Sequence, residues 1–105
     1  MSIIYDIKAW EIFRAVSKTG SLSIAASHCD VTVSTASRKL TLLEEAFGER
    51  LFVRESRPII LTSTAVKLLG YVDDLLSASQ RLQSLMHEND TDDTGTIRFM
   101  LPSTI

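Results

Sequence analysis

The stretch from Gly20 to Gly48, GSLSIAASHCDVTVSTASRKLTLLEEAFG, holds two short helical patterns separated by a tight break. The second pattern opens with hydroxyl residues and carries Ser37-Arg38. In sequence, this is how a helix-turn-helix looks, a unit whose second helix is placed to enter the major groove of DNA. The remaining segments can be arranged around it.

Upstream, Ile7, Trp10, Phe13 and Val16 recur at helical spacing behind Asp6, a good N-cap, and Gly20 stops the run. A first helix of about three turns is predicted, with those residues as one wall of the core. Ser21 caps a second helix whose inner face is Leu22, Ala25, Ala26 and Cys29, and the small pair Ala25-Ala26 lets another helix approach closely. Asp30 and Val31 make the turn. Thr32 caps a third helix, in which Val33, Ala36, Leu40, Leu43 and Phe47 follow an i, i+3 or i+4 rhythm and face inward, Val33 at the open first turn being the exception. Ser34, Thr35, Ser37, Arg38 and Thr41 are left on the outer side.

From Arg50 the pattern changes to two short β-type runs, Leu51 to Arg54 and Pro58 to Leu61, joined by Glu55-Ser56-Arg57. Pro58 cannot donate to a ladder and belongs at a strand start or on an edge, as in a two-stranded wing. Thr62 then caps a long helix over residues 63–88, about 39 Å at 1.5 Å per residue, more than a core of this size needs. Ala65, Leu68, Val72, Leu75, Ser79, Leu82 and Met86 alternate at spacings of three and four, the pattern of a coiled-coil pairing seam, and Leu69, Leu76 and Leu85 widen it. Residues 89–96, NDTDDTGT, have the composition of a linker, and Ile97 to Leu101 reads as one strand opening a further domain. The expected organisation is a mainly α chain. Residues 1–62 form a winged helix-turn-helix of three helices and a two-stranded wing, 63–88 a linker and dimerisation helix, 89–96 a flexible linker, and 97–105 the first strand of a truncated domain.

A formal charge of −2 taken over the whole chain argues against nucleic acid, but residues 1–60 hold eight Lys/Arg against seven Asp/Glu, while 61–105 hold three against six. Binding depends on where the cations sit, and Arg38, Lys39, Arg50, Arg54 and Arg57 form the local cluster. The single cysteine, Cys29, gives no disulfide framework and fits a reducing, cytoplasmic setting. His28, Cys29 and His87 lack metal-ligand spacing, and no nucleophile with its base stands out, so neither a metal nor an enzyme is expected. The longest apolar runs are too short to span a bilayer.

Arg38 is the best candidate reader, because a guanidinium can bond both acceptors of a guanine, and Ser37 and Thr35 are short enough to reach bases or phosphates. Val33, through a thymine methyl, and Ser34 are weaker readers. Arg54 and Arg57 flank the hairpin tip, where a minor groove or phosphates attract them, and Arg50 is placed to meet a phosphate or a nearby carboxylate. Ser21 and Thr32 offer helix-start amides and hydroxyls to phosphate oxygens. The pairing surface is expected at Ala65, Leu68, Leu69, Val72, Leu75, Leu76, Leu82 and Met86. Trp10 and Phe13 have the spacing of core rather than of a base-stacking platform. The competing reading is a winged helix that binds protein through its long helix without specific DNA affinity.

These residues resemble the N-terminal part of LysR-type transcriptional regulators. The resemblance is carried by Phe13 to Val16, GSLSIAA at 20–26, Val31 with Ser37-Arg38, LEEAFGERLFVR at 43–54, and Arg57 followed by Leu61-Thr62. It implies double-stranded DNA as partner, a homodimer or homotetramer, a small-molecule effector held by a C-terminal domain of two α/β lobes, and room for contact with RNA polymerase. It implies no cofactor for the segment itself. Where the family commonly has Ser-Gln-Pro-Ala, this chain has Thr32-Val33-Ser34-Thr35, and the family's Glu and Gly after the last cap are replaced by Ser63 and Val66.

Overall fold

The computed structural model describes residues 2–91, with side chains for residues 2–87. A 3-10 turn, Ile3–Tyr5, leads into α1 (Ile7–Thr19), α2 (Leu22–His28) and α3 (Val33–Phe47), followed by β1 (Phe52–Val53), β2 (Ile60–Leu61) and α4 (Ser63–Thr91). The expected strand at residues 97–101 lies outside the described residues.

Each helix starts where a side-chain oxygen can satisfy a free backbone amide. Asp6 accepts from Lys8 N at 3.0 Å and Ala9 N at 3.4 Å, Ser21 from Ile24 N at 3.2 Å, Thr32 from Thr35 N at 3.1 Å and Thr62 from Ala65 N at 3.4 Å. The stops are equally local. Gly20 and Gly48 take left-handed backbone angles, and so does Asp30 with φ 61°. At Asp30 the amides of Asp30 and Val31 reach back to the carbonyls of Ser27 and Ala26, which closes α2 with a Schellman motif and turns the chain into α3.

The core is built from α1, α2, α3, the wing and the first half of α4. Ala9, Trp10, Ile12, Phe13 and Val16 of α1 are buried, as are Ala25 and Ala26 of α2 and Ala36, Leu40 and Leu43 of α3. Ile7 and Leu22, expected inside, are only half-buried at its edge. Trp10 puts its ring in the core and donates its indole N–H to the Ile4 carbonyl at 2.8 Å, which satisfies its one polar atom and fixes the N-terminal turn. Leu51 and Phe52 carry the base of the wing inward, and the Phe52 ring lies 5.3 Å from that of Phe13.

Four further expectations change. The wing ladder is shorter than the β-type runs, with only Phe52 opposite Leu61 and Val53 opposite Ile60, because residues 54–59 are given over to the turn and to Pro58, which has no N–H to donate. Phe47 does not close the core. It is 38% exposed, edge-on to Trp10 at 6.0 Å, one turn beyond the last fully covered position of α3. On α4, Ala65, Val72 and Leu76 are buried in the chain's own core, and Leu68 and Leu69 pack against it, so the proximal half of the expected pairing seam is already occupied. Leu75, Leu82 and Met86 stay exposed. The helix also continues to Thr91, three residues into the expected linker.

One ion pair fastens the start of α1 to α3, as Lys39 of α3 donates to the capping carboxylate of Asp6. Burial raises the Asp6 pKa, but Lys39 and the amides of Ala9 and Lys8 outweigh it, so the carboxyl titrates below its ordinary value of 3.8. The stabilisation is therefore present above that value and lost as pH falls through the folded-state pKa. Asp6→Asn keeps a capping oxygen and removes the charge. Urea unfolding should show the variant less stable at neutral pH by roughly 1 kcal/mol, with the gap closing below pH 3.8; a gap independent of pH would mean the charge contributes nothing.

Candidate nucleic-acid interface

The first two turns of α3 present a polar face. Thr32 is occupied within the helix start, since its hydroxyl caps the Thr35 amide and donates to Thr35 Oγ1 at 2.9 Å. Ser34 Oγ lies 3.3 Å from the same hydroxyl. Arg38 is exposed and makes no hydrogen bond or ion pair among the described residues. Val33 is 47% exposed at the helix entrance, where it adds an apolar spot to an otherwise hydroxyl-lined surface.

Between this face, the start of α2 and the wing runs a groove of about 410 Å³. Its walls bring together five of the expected site residues, Ser21, Val33, Ser37, Arg54 and Arg57. Ser34, Thr35 and Arg38 of α3, and its cap Thr32, are not part of the groove's lining. Arg50 is elsewhere. Both of its terminal nitrogens meet the Glu55 carboxylate, at 3.3 and 3.2 Å, and Nη2 also donates to the Phe52 carbonyl at 3.0 Å. The Glu55 hydrogen bond and charge hold Arg50 above its ordinary pKa, and Arg50 in turn holds Glu55 below its own. Arg50 thus braces the turn through Glu55, a nearby carboxylate of the kind expected as the alternative to a phosphate.

The two tip arginines differ. Arg57 is exposed and donates to the carbonyls of Arg54 and Ser56. Arg54 is half-buried, its Nη2 donating to Glu44 Oε1 at 3.0 Å and to Thr41 Oγ1 at 3.3 Å. The Glu44 partner was not anticipated from the sequence. Its other oxygen accepts from the Leu51 and Phe52 amides at 2.9 and 3.2 Å, a role that spacings of seven and eight along the chain do not reveal.

This arrangement matches known proteins. The family profile of bacterial regulatory helix-turn-helix proteins of the lysR family covers residues 7–66. The chain belongs to the LysR family. The iron-regulated virulence regulatory protein IrgB of Vibrio cholerae is 29% identical over 96 residues, 91% of this chain and 32% of that protein. The probable HTH-type transcriptional regulator SinR of Salmonella typhimurium is 28% identical over 99 residues, 94% and 31% respectively. The chain therefore spans about a third of the length of these curated relatives. Among solved structures, the BenM DNA-binding domain in complex with catB site 1 DNA matches with a TM-score of 0.74 at 26% identity, over 87% of this chain and 98% of that one. Vibrio fischeri DarR, solved in complex with DNA, matches with a TM-score of 0.70 at 29% identity, over 78% of this chain and 28% of that one.

Within the LysR fold, Gly20 joins the reading unit to the wing. Its carbonyl accepts from the Ile59 amide at 2.9 Å, its φ is 70°, and a Cβ there would sit 2.5 Å from Pro58 Cβ. Only glycine meets both demands. Cys29, at the far end of α2, is buried, and burial pushes its thiol pKa up, with Glu11 adding to the effect. Among the described residues there is no cluster of three or more metal-ligating side chains and no helix long and apolar enough to cross a membrane.

Gly20→Ala is expected to destabilise the domain by more than about 1 kcal/mol, because it adds both a strained φ and a clash with Pro58. Chemical denaturation measures the loss, and an alanine variant as stable as the parent would mean that the wing shifts without cost.

Proposed function

We propose that this chain is the DNA-binding part of a LysR-type transcriptional regulator and that it reads double-stranded DNA in sequence-specific fashion. The observation that carries the reading is Arg38, an exposed guanidinium without an internal partner among the described residues, on the helix whose Val33 and Ser37 line a groove shared with the wing. B-form DNA admits an α-helix in its major groove, and the residues of the first turns reach the base edges. In this reading Arg38 meets a guanine, Ser37 and Ser34 contact bases or phosphates, and Val33 packs on a thymine methyl. Arg57 follows the adjacent backbone or minor groove, with the exposed amides at the α2 and α3 starts facing phosphate oxygens. Relatives solved with DNA, BenM and DarR, support it.

The same proposal includes a homodimer. Leu75, Leu82 and Met86 are exposed along α4, and Ile4, Trp10, Phe47, Tyr71 and Leu75 line an apolar cleft of about 340 Å³ beside it. Two copies that cover these surfaces place two reading heads along one duplex. For the whole protein, the family resemblance adds a small-molecule effector, assembly to a tetramer, contact with RNA polymerase and a cytoplasmic location.

Selection of duplexes from a random pool followed by mobility-shift titration tests the reading. A preferred sequence should emerge. Arg38→Ala should cost about 1–3 kcal/mol of discrimination at one base pair, and affinity should fall with rising salt as condensed counterions are released. Binding without sequence preference, or unchanged discrimination in Arg38→Ala, overturns it.

Sedimentation tests the dimer. Leu82 is 65% exposed, so Leu82→Glu should shift the chain toward monomer without lowering its thermal midpoint; an unchanged dimer fraction places the contact elsewhere.

A further inference from the structure

We propose that Glu44 is a positioning residue for the DNA interface, holding Arg54 ready in the groove between α3 and the wing. This inference rests on the DNA-binding reading and names a residue that reading does not use. Glu44 sits in the last turn of α3 with its side chain only 16% exposed. Its two oxygens divide their work. Oε2 takes the backbone amides of Leu51 and Phe52 and so fastens the start of the wing to the reading helix. Oε1 takes Arg54 Nη2 at 3.0 Å. One carboxylate therefore sets both the height of the wing and the direction of its arginine.

The arginine is not used up by this pairing. Thr41 shares Nη2, and Nε is buried and closed to a ligand, but Nη1 has no partner among the described residues. Arg54 lines the groove with Ser37 and Arg57. A guanidinium fixed through Nη2 by a half-buried carboxylate loses little side-chain freedom when Nη1 meets a phosphate, so less of the binding energy goes into ordering it. A freely rotating arginine at the same place would bind less well for the same charge. Like Arg57, Arg54 contacts DNA, but only Arg54 depends on a helper.

Two variants of Glu44 separate its jobs. Glu44→Gln keeps an oxygen for the Leu51 and Phe52 amides and removes the charge that holds Arg54, whereas Glu44→Ala removes both. The full chain is titrated with its own selected duplex and with a scrambled duplex at several salt concentrations, alongside thermal unfolding. Expected are a loss in affinity of about five- to tenfold for Glu44→Gln and a smaller fall in thermal midpoint than for Glu44→Ala. Arg54→Ala should flatten the slope of log K against log salt by about 0.9, and the Gln and Ala changes combined should be no worse than Arg54→Ala alone. An Arg54→Ala protein with unchanged slope, or losses that multiply in the double variant, overturns the proposal. If Glu44→Gln fails to fold, the Arg54→Ala slope still decides, since without an Arg54 contact there is nothing for Glu44 to position. Failure of the parent chain to select any sequence would instead overturn the DNA-binding reading itself.

Discussion

Phe52 leaves a two-residue strand to lay its ring 5.3 Å from Phe13, and both side chains are almost completely buried. Burying each is worth about 1.5–3 kcal/mol, more than so short a hairpin can supply for itself, since an isolated two-stranded ribbon is marginal in water. The wing exists because its base is part of the helical core. Leu51 is buried beside it, Glu44 holds the amides of both residues, and Gly20 receives the Ile59 amide just ahead of the other strand. The distance between reading helix and wing is thus set by packing and by hydrogen bonds at both edges, and the groove between them inherits that rigidity.

Charge is distributed by the same logic. Lys8, Arg14, Lys39, Arg50 and Arg54 all pair with carboxylates. Of the cluster that looks basic in the sequence, Arg38 and Arg57 are the two that reach solvent without a carboxylate partner among the described residues. A surface with so few free cations attracts phosphates only weakly, because sequence-independent affinity grows with the number of phosphates neutralised. In the proposed function, discrimination then comes from base contacts, and affinity from joining two heads in one molecule. The formal charge of −2 is compatible with the proposed function for this reason.

What the sequence shows and hides follows the range of each interaction. The caps at Asp6, Ser21, Thr32 and Thr62 and the stops at Gly20 and Gly48 were legible because each acts within four residues of itself. The buried stripes of α1 and α3 were legible because helical period places them on one face. Arg50 and Arg54 were readable as cations at the wing, but their partners, Glu55 and Glu44, depend on how the chain folds back. Phe47 has the spacing of a core residue, yet the core ends before it. Periodicity states which side a residue is on and does not state how far the cover extends.

The long helix shows the same limit most clearly. A heptad-like run records that an apolar face needs covering and is silent on what covers it. At about 100° per residue, Ala65, Val72 and Leu76 lie within about 20° of one line along α4, and Leu75, Leu82 and Met86 are centred about 80° away. The first line is buried in the chain's own core and the second is exposed. The stripe is broad because it is two stripes, one for the domain from which the helix emerges and one open to a partner. Since the first ends at Leu76 and the second runs on to Met86, the helix can be anchored rigidly at its base while its distal part pairs. In the proposed dimer, rigid anchoring lets a contact made on α4 fix the direction in which α3 faces the duplex. With a flexible joint after Thr62, pairing would raise the local concentration of reading heads without setting their spacing. On that proposal, the buried positions of α4 are as much a part of DNA geometry as the exposed ones.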